Sequence, residues 1–228
     1  MTMTTYWLSV QLQSDATFGR GDGVAGLVDV EIEHDDLGCP YLGGRALKGL
    51  LVEEYANIRS ALSDKAHWDV AATALFGKTG AAHGAEIGAL LHIGPAQLPA
   101  DLRTALHVDI GEKLHPSEVL TLFTTIRRQT AVSERGAPEK GSLRAMRALL
   151  RETILIAELH TERELSERER GLLAACVLGV RRAGLGRNRG RGRVALLLHT
   201  TQPISRAALD DRTTTEAWFE SFAREVLS

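Results

Sequence analysis

From Tyr6 to Gln13 the chain alternates, with Tyr6, Leu8, Val10 and Leu12 on one phase and Trp7, Ser9, Gln11 and Gln13 on the other. A period of two sends the two sets to opposite faces, so this stretch is expected to be a half-buried strand. Val28 to Glu33 alternates in the same way and predicts a second short strand. The period then changes. Leu47, Leu50, Leu51, Tyr55, Ile58 and Leu62 fall on one stripe of a helix that opens near Tyr41–Leu50. Trp68 to Phe76 predicts a second short helix, stopped at Gly77. Ile87 to Ile93 and Leu106 to Ile110 are expected strands, with Pro95 to Asp101 irregular between them. Leu114 to Glu134 and Leu143 to Leu150 fit helix and strand equally well. Between them, Ser133 to Ser142 is expected to be an exposed excursion. Thr153 to Leu159 is rich in β-branched residues and predicts a strand. Ser166 opens a helix through Leu172, Leu173, Cys176, Val177 and Val180, and Glu167 and Glu169 suit its first turn. Val194 to His199 predicts a strand. Thr214 to Leu227 predicts an amphipathic helix with Trp218, Phe222 and Val226 at helical spacing.

Taken in order, these elements predict an α+β, ferredoxin-like (RRM-like) βαββαβ core with insertions. There is no internal repeat and no clean boundary, so one domain is expected over residues 1–228, with the core over about 5–200. Two helices would cover one face of an antiparallel sheet and leave the other free for RNA. The aromatic strand signature of RNA-recognition modules is absent. Base stacking on the central strands is therefore not expected. Backbone contacts from glycine loops and cations are.

Composition narrows the partners. The formal net charge is -2 over 228 residues, so any nucleic-acid surface must be local and balanced by acid elsewhere. The two cysteines, Cys39 and Cys176, have no CxxC spacing, which argues against a disulfide framework or a zinc ribbon. The start of the chain lacks the pattern of a signal peptide, and no apolar run approaches a membrane span. A cytoplasmic protein without a membrane partner is expected.

The local positive surface has an obvious candidate. Gly184-Leu185-Gly186-Arg187-Asn188-Arg189-Gly190-Arg191-Gly192-Arg193 precedes the strand at Val194. Glycines admit positive φ and close backbone approach, and guanidinium forks suit phosphate oxygens. A merely solvated basic loop is the plainer alternative. A second candidate is Gly43-Gly44-Arg45-Ala46-Leu47-Lys48-Gly49, where a helix N-terminus with free N–H groups forms a phosphate seat. The plainer alternative there is a glycine turn with two solvated cations.

These stretches resemble the RAMP superfamily. Gly26-Leu27-Val28-Asp29 resembles its G-x-[IV]-D turn, and Pro40 to Gly49 resembles its P-G-S-S-L-K-G helix start. Leu75-Phe76-Gly77 resembles its L-F-G. The Gly184–Val194 stretch resembles its closing glycine-rich loop. The family's paired hydroxyl residues are Arg45 and Ala46 here, and Arg191 stands where the family often has tyrosine. Within the family, the match is closest to backbone subunits of type III CRISPR effector complexes of the Csm and Cmr type.

The resemblance implies a thumb hairpin at about residues 125–142. It implies guide RNA held largely by its backbone, complementary target RNA paired to it, and other RAMP and effector-complex subunits as neighbours. It also implies an endoribonuclease, active within the complex, that cuts target RNA at regular intervals. Asp29 matches the position of the catalytic carboxylate, acting with a divalent metal, expected to be Mg²⁺. Arg20, Gly43, Gly44, Arg45, Lys48, Arg127, Arg128, Gly186, Arg187, Arg189, Gly190, Arg191, Gly192 and Arg193 are the expected RNA contacts. Arg163, Arg168, Arg170, Arg181 and Arg182 read instead as a solvated helix face paired with glutamates. Two other readings stay open. One is a RAMP subunit that grips RNA and cuts nothing. The other is a guide-processing endoribonuclease using a histidine such as His34 or His67 as general base.

Overall fold

The computed structural model describes residues 3–78, 88–109, 114–130 and 142–227. Strand β1, Thr4–Leu12, runs through the middle of the main sheet. Strand β2 is Tyr41–Leu42, followed by helices α1, Gly44–Ala61, and α2, Lys65–Phe76. Strands β3, Leu91–Ile93, and β4, Ala96–Gln97, precede helices α3, Ala100–Asp109, and α4, Pro116–Phe123. Strands β5, Thr124–Gln129, and β6, Arg144–Leu149, form a separate two-stranded antiparallel sheet. Strand β7, Ile154–Thr161, and helix α5, Glu167–Gly179, return to the core. Strand β8, Val194–His199, and helices α6, Arg206–Leu209, and α7, Thr213–Leu227, complete the described chain.

The main sheet has the order β2-β4-β7-β1-β8, with β3 also paired to β7. Every pairing in it is antiparallel. With β3 and β4 sharing the second-strand position, this is the ferredoxin-like order, as the element sequence predicted.

The alternation in β1 explains the layering. Tyr6, Leu8, Val10 and Leu12 are all buried, together with Leu155, Ala157 and Leu159 of β7 and Leu196 and Leu198 of β8. α1 buries Leu47, Leu51 and Tyr55 in the same core. α5 adds Leu172, Leu173, Cys176 and Val177. Each such leucine withdrawn from water contributes roughly 1.5–3 kcal/mol. α5 starts where Ser166 and Glu169 exchange hydrogen bonds in a capping box. On α7, Trp218 meets Tyr6 edge-on at 5.3 Å, and Phe222 meets Trp68 at 4.8 Å.

Several expectations need correction. Val28 to Glu33 makes only isolated bridges, to Gly19, Val24 and Met146, and joins no ladder. It leaves the first loop and runs beside β6, bonding to Ala145 and Arg147 rather than joining the main sheet. Leu106 to Asp109 is the end of α3, because Leu102 and Leu106 lie one helical turn apart and only Leu106 is buried. The stretch expected to be irregular contains β4 and the start of α3. The two ambiguous stretches resolve as α4 followed by β5, and as β6. Arg181 and Arg182 lie beyond the end of α5, with Arg182 bridged to Arg193. The strand expected at Ile87 to Ile93 is described only from Leu91 onward as strand. The exposed excursion, its Arg135 included, falls mostly in residues 131–141, outside the described residues.

Candidate nucleic-acid interface

Three carboxylates alternate through Asp29, Glu31 and Glu33; the first two are tied to β6 and the third to the start of α1. The Asp29 Oδ2 accepts the Ala145 N–H at 2.6 Å, while the Asp29 N–H donates to the Ala145 carbonyl at 2.7 Å. Ala145 pairs with Arg128, near the end of the ladder farthest from Thr124 and Leu149, so Asp29 stands beside the outer part of the described β5–β6 hairpin and is solvent-exposed. Glu31 is buried and accepts from Arg147 Nε at 2.8 Å and from the Ile32 N–H at 2.9 Å. Glu33 accepts the Gly43 N–H at 2.9 Å.

That last contact changes the reading of the α1 N-terminus. Gly43 is the N-cap of α1, and the protein's own Glu33 carboxylate sits where a phosphate seat was expected. Gly44 is explained by packing. A Cβ there would lie 2.0 Å from the Ile93 carbonyl oxygen of β3. Arg45 is exposed and Lys48 half-buried on the turn that follows.

The closing loop is set by glycines at positive φ. Gly192, at φ 69°, passes so close to Ala183 that a Cβ would meet its carbonyl oxygen at 2.0 Å. Gly186 and Gly190 flank a single 3₁₀ turn, Arg187–Arg189, both in the left-handed region. This turn projects its side chains from a loop pinned at both ends. The Leu185 N–H donates to the Thr17 carbonyl at 2.9 Å, and the Gly192 N–H to the Asp15 carbonyl at 2.9 Å.

The predicted cations separate into free and occupied ones. Arg20 pairs with Asp22 and lies 3.4 Å from His34 Nε2. Arg127 pairs with Asp15, and Arg187 with Glu53 at 2.9 Å. Arg191 reaches the Met146 sulfur of β6 at 3.0 Å. Arg45, Lys48, Arg128, Arg189 and Arg193 make no ion pair among the described residues. Burial raises the Asp15 pKa, but hydrogen bonds from Arg127 and the Arg151 N–H outweigh it and hold the carboxyl below its ordinary value.

Two basic recesses gather some of these residues. One, of about 580 Å³, is lined by Gln13, Asp15, Arg127, Arg151, Gly190 and Arg191. The other, of about 720 Å³, lies along the outer edge of β8 between Arg181, Arg182 and Arg193 on one side and Arg212 on the other. Gln13 lines both, so the two recesses adjoin at the end of β1. Gly43, Gly44, Arg45 and Lys48 belong to a different place, the start of α1. Sequence reading missed Arg151, Arg181, Arg182 and Arg212 as parts of this surface. It also missed the buried Arg147, for which the available signal was Glu31, an acid inside an alternating apolar stretch that needs a buried cationic partner.

Among the described residues, no group of three or more His, Cys, Asp or Glu side chains is placed to hold a metal. Asp29 offers one carboxylate with one oxygen already engaged, so the described residues do not make a metal site by themselves. His34 Nδ1 lies 3.1 Å from the Asp35 carbonyl, and His67 pairs with Glu225 of α7 at 3.1 Å on the helix side of the sheet. The two histidines occupy separate surroundings, and neither pairs with Asp29. Among the described residues, no helix is long and apolar enough to cross a membrane.

Comparison with known proteins places this geometry. A chain of the type III-B Cmr-beta complex bound to cognate target RNA superposes with a TM-score of 0.60 at 12% identity, covering 85% of this chain and 96% of that one. A chain of the same complex in its apo state gives a TM-score of 0.58 at 13% identity, covering 86% and 97%. At such identity these likenesses show a shared fold. No curated protein matches the sequence. The RAMP superfamily model, however, matches residues 10–195, which takes in the end of β1, the Asp29 loop, α1, the hairpin, α5 and the glycine–arginine loop. The chain belongs to the RAMP superfamily.

Proposed function

We propose that this protein is a guide-RNA-binding backbone subunit of a type III CRISPR effector complex. In this reading it contributes to cleavage of complementary target RNA through Asp29. The observation that carries the reading is the position of Asp29 against β6 of the β5–β6 hairpin, in a chain whose family match spans both. A target strand running past the hairpin would meet an exposed carboxylate there. The similar structures come from a type III-B complex, one of them bound to cognate target RNA, which supports the same class of assembly and ligand.

The cations of the glycine–arginine loop and the two recesses would hold the guide by its phosphates, a contact that carries no sequence information. Asp29 would supply one oxygen to a Mg²⁺ ion whose other ligands come from RNA phosphates and water. The compartment is proposed to be the cytoplasm.

One observation favours a second reading. The Asp29 carboxylate already accepts the Ala145 N–H, a bond that would fasten the hairpin in a subunit that binds RNA without cutting it. Asp29→Asn separates the two, because asparagine keeps the acceptor and removes the charge. The test assembles the complex with guide RNA, Mg²⁺ and labelled complementary RNA. Loss of this subunit's cleavage product in Asp29→Asn, with target binding retained, supports catalysis by Asp29. Unchanged product refutes it and leaves the structural role.

A further inference from the structure

The face of the sheet opposite α1 and α5 holds a recess, closed on one side by the start of α3, that the phosphate-binding argument does not use. Because Tyr6 and Leu8 point into the core, Trp7 between them points to the opposite face. The strand register sets Trp7 opposite Glu158 of β7. Trp7 and Glu158 line a cavity of about 380 Å³ with Gln97, Arg103, Ile156 and His160. One apolar ring, aliphatic walls and a few convergent polar groups are the usual make-up of a small-ligand site.

The polar groups are held in place. His160 Nε2 lies 3.1 Å from Glu158 Oε2, and His160 Nδ1 lies 3.2 Å from the Thr5 hydroxyl. With the proton on Nε2, the ring donates to Glu158 and accepts from Thr5, so the carboxylate is oriented and its second oxygen stays available. Arg103 donates through Nη1 to Gln97 Oε1 at 2.8 Å and through Nη2 to Asp35 at 3.3 Å. Each of these two nitrogens keeps a second N–H, and Arg103 lines the recess.

We propose that this recess binds a single guanine base, stacked on Trp7 and recognised by Glu158 and Arg103. Guanine presents two adjacent N–H donors beside a carbonyl acceptor. A carboxylate matches the donors, and a free arginine N–H matches the acceptor. Adenine would turn an unprotonated ring nitrogen toward Glu158. The sequence expectation set base stacking aside because the usual aromatic strand signature is absent. Here the aromatic ring comes from β1. The same chemistry serves a free guanine nucleotide and a guanine turned out of an RNA strand.

The test titrates the full chain with GMP, with AMP, and with a uridine-rich single-stranded RNA carrying one central guanosine. Tryptophan emission and calorimetry are read in parallel. Trp68 and Trp218 lie on the helix side, so quenching by a stacked base reports Trp7. Saturable quenching by GMP is expected, with affinity at least about 10-fold above AMP. Trp7→Leu should weaken binding by roughly 10-fold in calorimetry. Glu158→Gln should abolish the preference for guanine while circular dichroism stays unchanged. Tighter binding of the RNA than of GMP, lost when its guanosine is replaced by adenosine, identifies a strand-borne base. Tighter binding of GMP identifies a free nucleotide. Absence of saturable binding by both ligands, or binding indifferent to both substitutions, overturns the proposal. Neither result bears on cleavage at Asp29, which is tested separately.

Discussion

Replacing Glu31 with glutamine should loosen the hairpin that Asp29 stands against. Glu31 and Arg147 form a nearly dry pair, with side chains 2% and 9% exposed and an Nε–Oε1 distance of 2.8 Å. Arg147 also donates to the Thr124 hydroxyl at 3.1 Å, and its carbonyl accepts from Thr17 at 2.9 Å. Removing one partner of a buried pair strands the other charge and costs about 3–5 kcal/mol. The lower end applies here, since glutamine keeps an acceptor for the Ile32 N–H and Thr124 still receives the guanidinium. With a urea slope of about 2–3 kcal/mol/M for a chain of this size, a loss of about 3 kcal/mol lowers the unfolding midpoint by roughly 1–1.5 M. Equilibrium urea unfolding followed by circular dichroism reads this directly. Glu31→Met with Arg147→Met should recover most of the loss, because the double change leaves no orphaned charge. Hydrogen exchange at Ala145, whose N–H is held by Asp29, should speed up in the single variant and slow again in the double one. A midpoint shift under about 0.3 M, or a double variant less stable than Glu31→Gln, would refute the reasoning.

Two further outcomes follow from the same geometry. Gly44→Ala should destabilise by about 1–3 kcal/mol or more, because its Cβ would collide with the Ile93 carbonyl oxygen, whereas Gly49→Ala, with nothing within 4 Å, should be neutral or stabilising in the same thermal melt. Asp69 should stay ionised far into acid, since hydrogen bonds from Arg59 and then from Tyr55 bring its pKa down to about 2. A depressed carboxyl contributes stability that is whole above its unfolded pKa of about 3.9 and lost as pH falls toward the folded value. Arg59→Gln should therefore raise the Asp69 titration seen by carboxyl NMR and bring acid unfolding to higher pH. An unchanged titration would show that the pair does not form in solution.

What the sequence revealed and what it concealed have separate physical causes. The fold was legible because β1 and α1 each bury one face, which leaves a period in the chain, while α5 is buried all round from Gly171 to Val177 and shows as an unbroken run of small and apolar residues. Helix α3 was misread because only Leu106 of its apolar residues is buried, so a single turn of helix looked like a short strand. The site was legible where a glycine is demanded by geometry, as at Gly44 and Gly192, where any Cβ would strike a carbonyl. It was not legible where charges choose partners across the fold. Glu33 at the α1 N-terminus and Arg187 on Glu53 are ten and 134 residues from their partners, and no local pattern encodes either contact. The consequence reaches the function. Under the proposed function, glycine-rich stretches would let the backbone approach RNA, and carboxylates elsewhere decide which cations remain unpaired. By that criterion Arg128, Arg189 and Arg193, which make no ion pair among the described residues, are better candidates for phosphate contact than Arg20, Arg127 or Arg187, each of which must first leave an acid of its own chain.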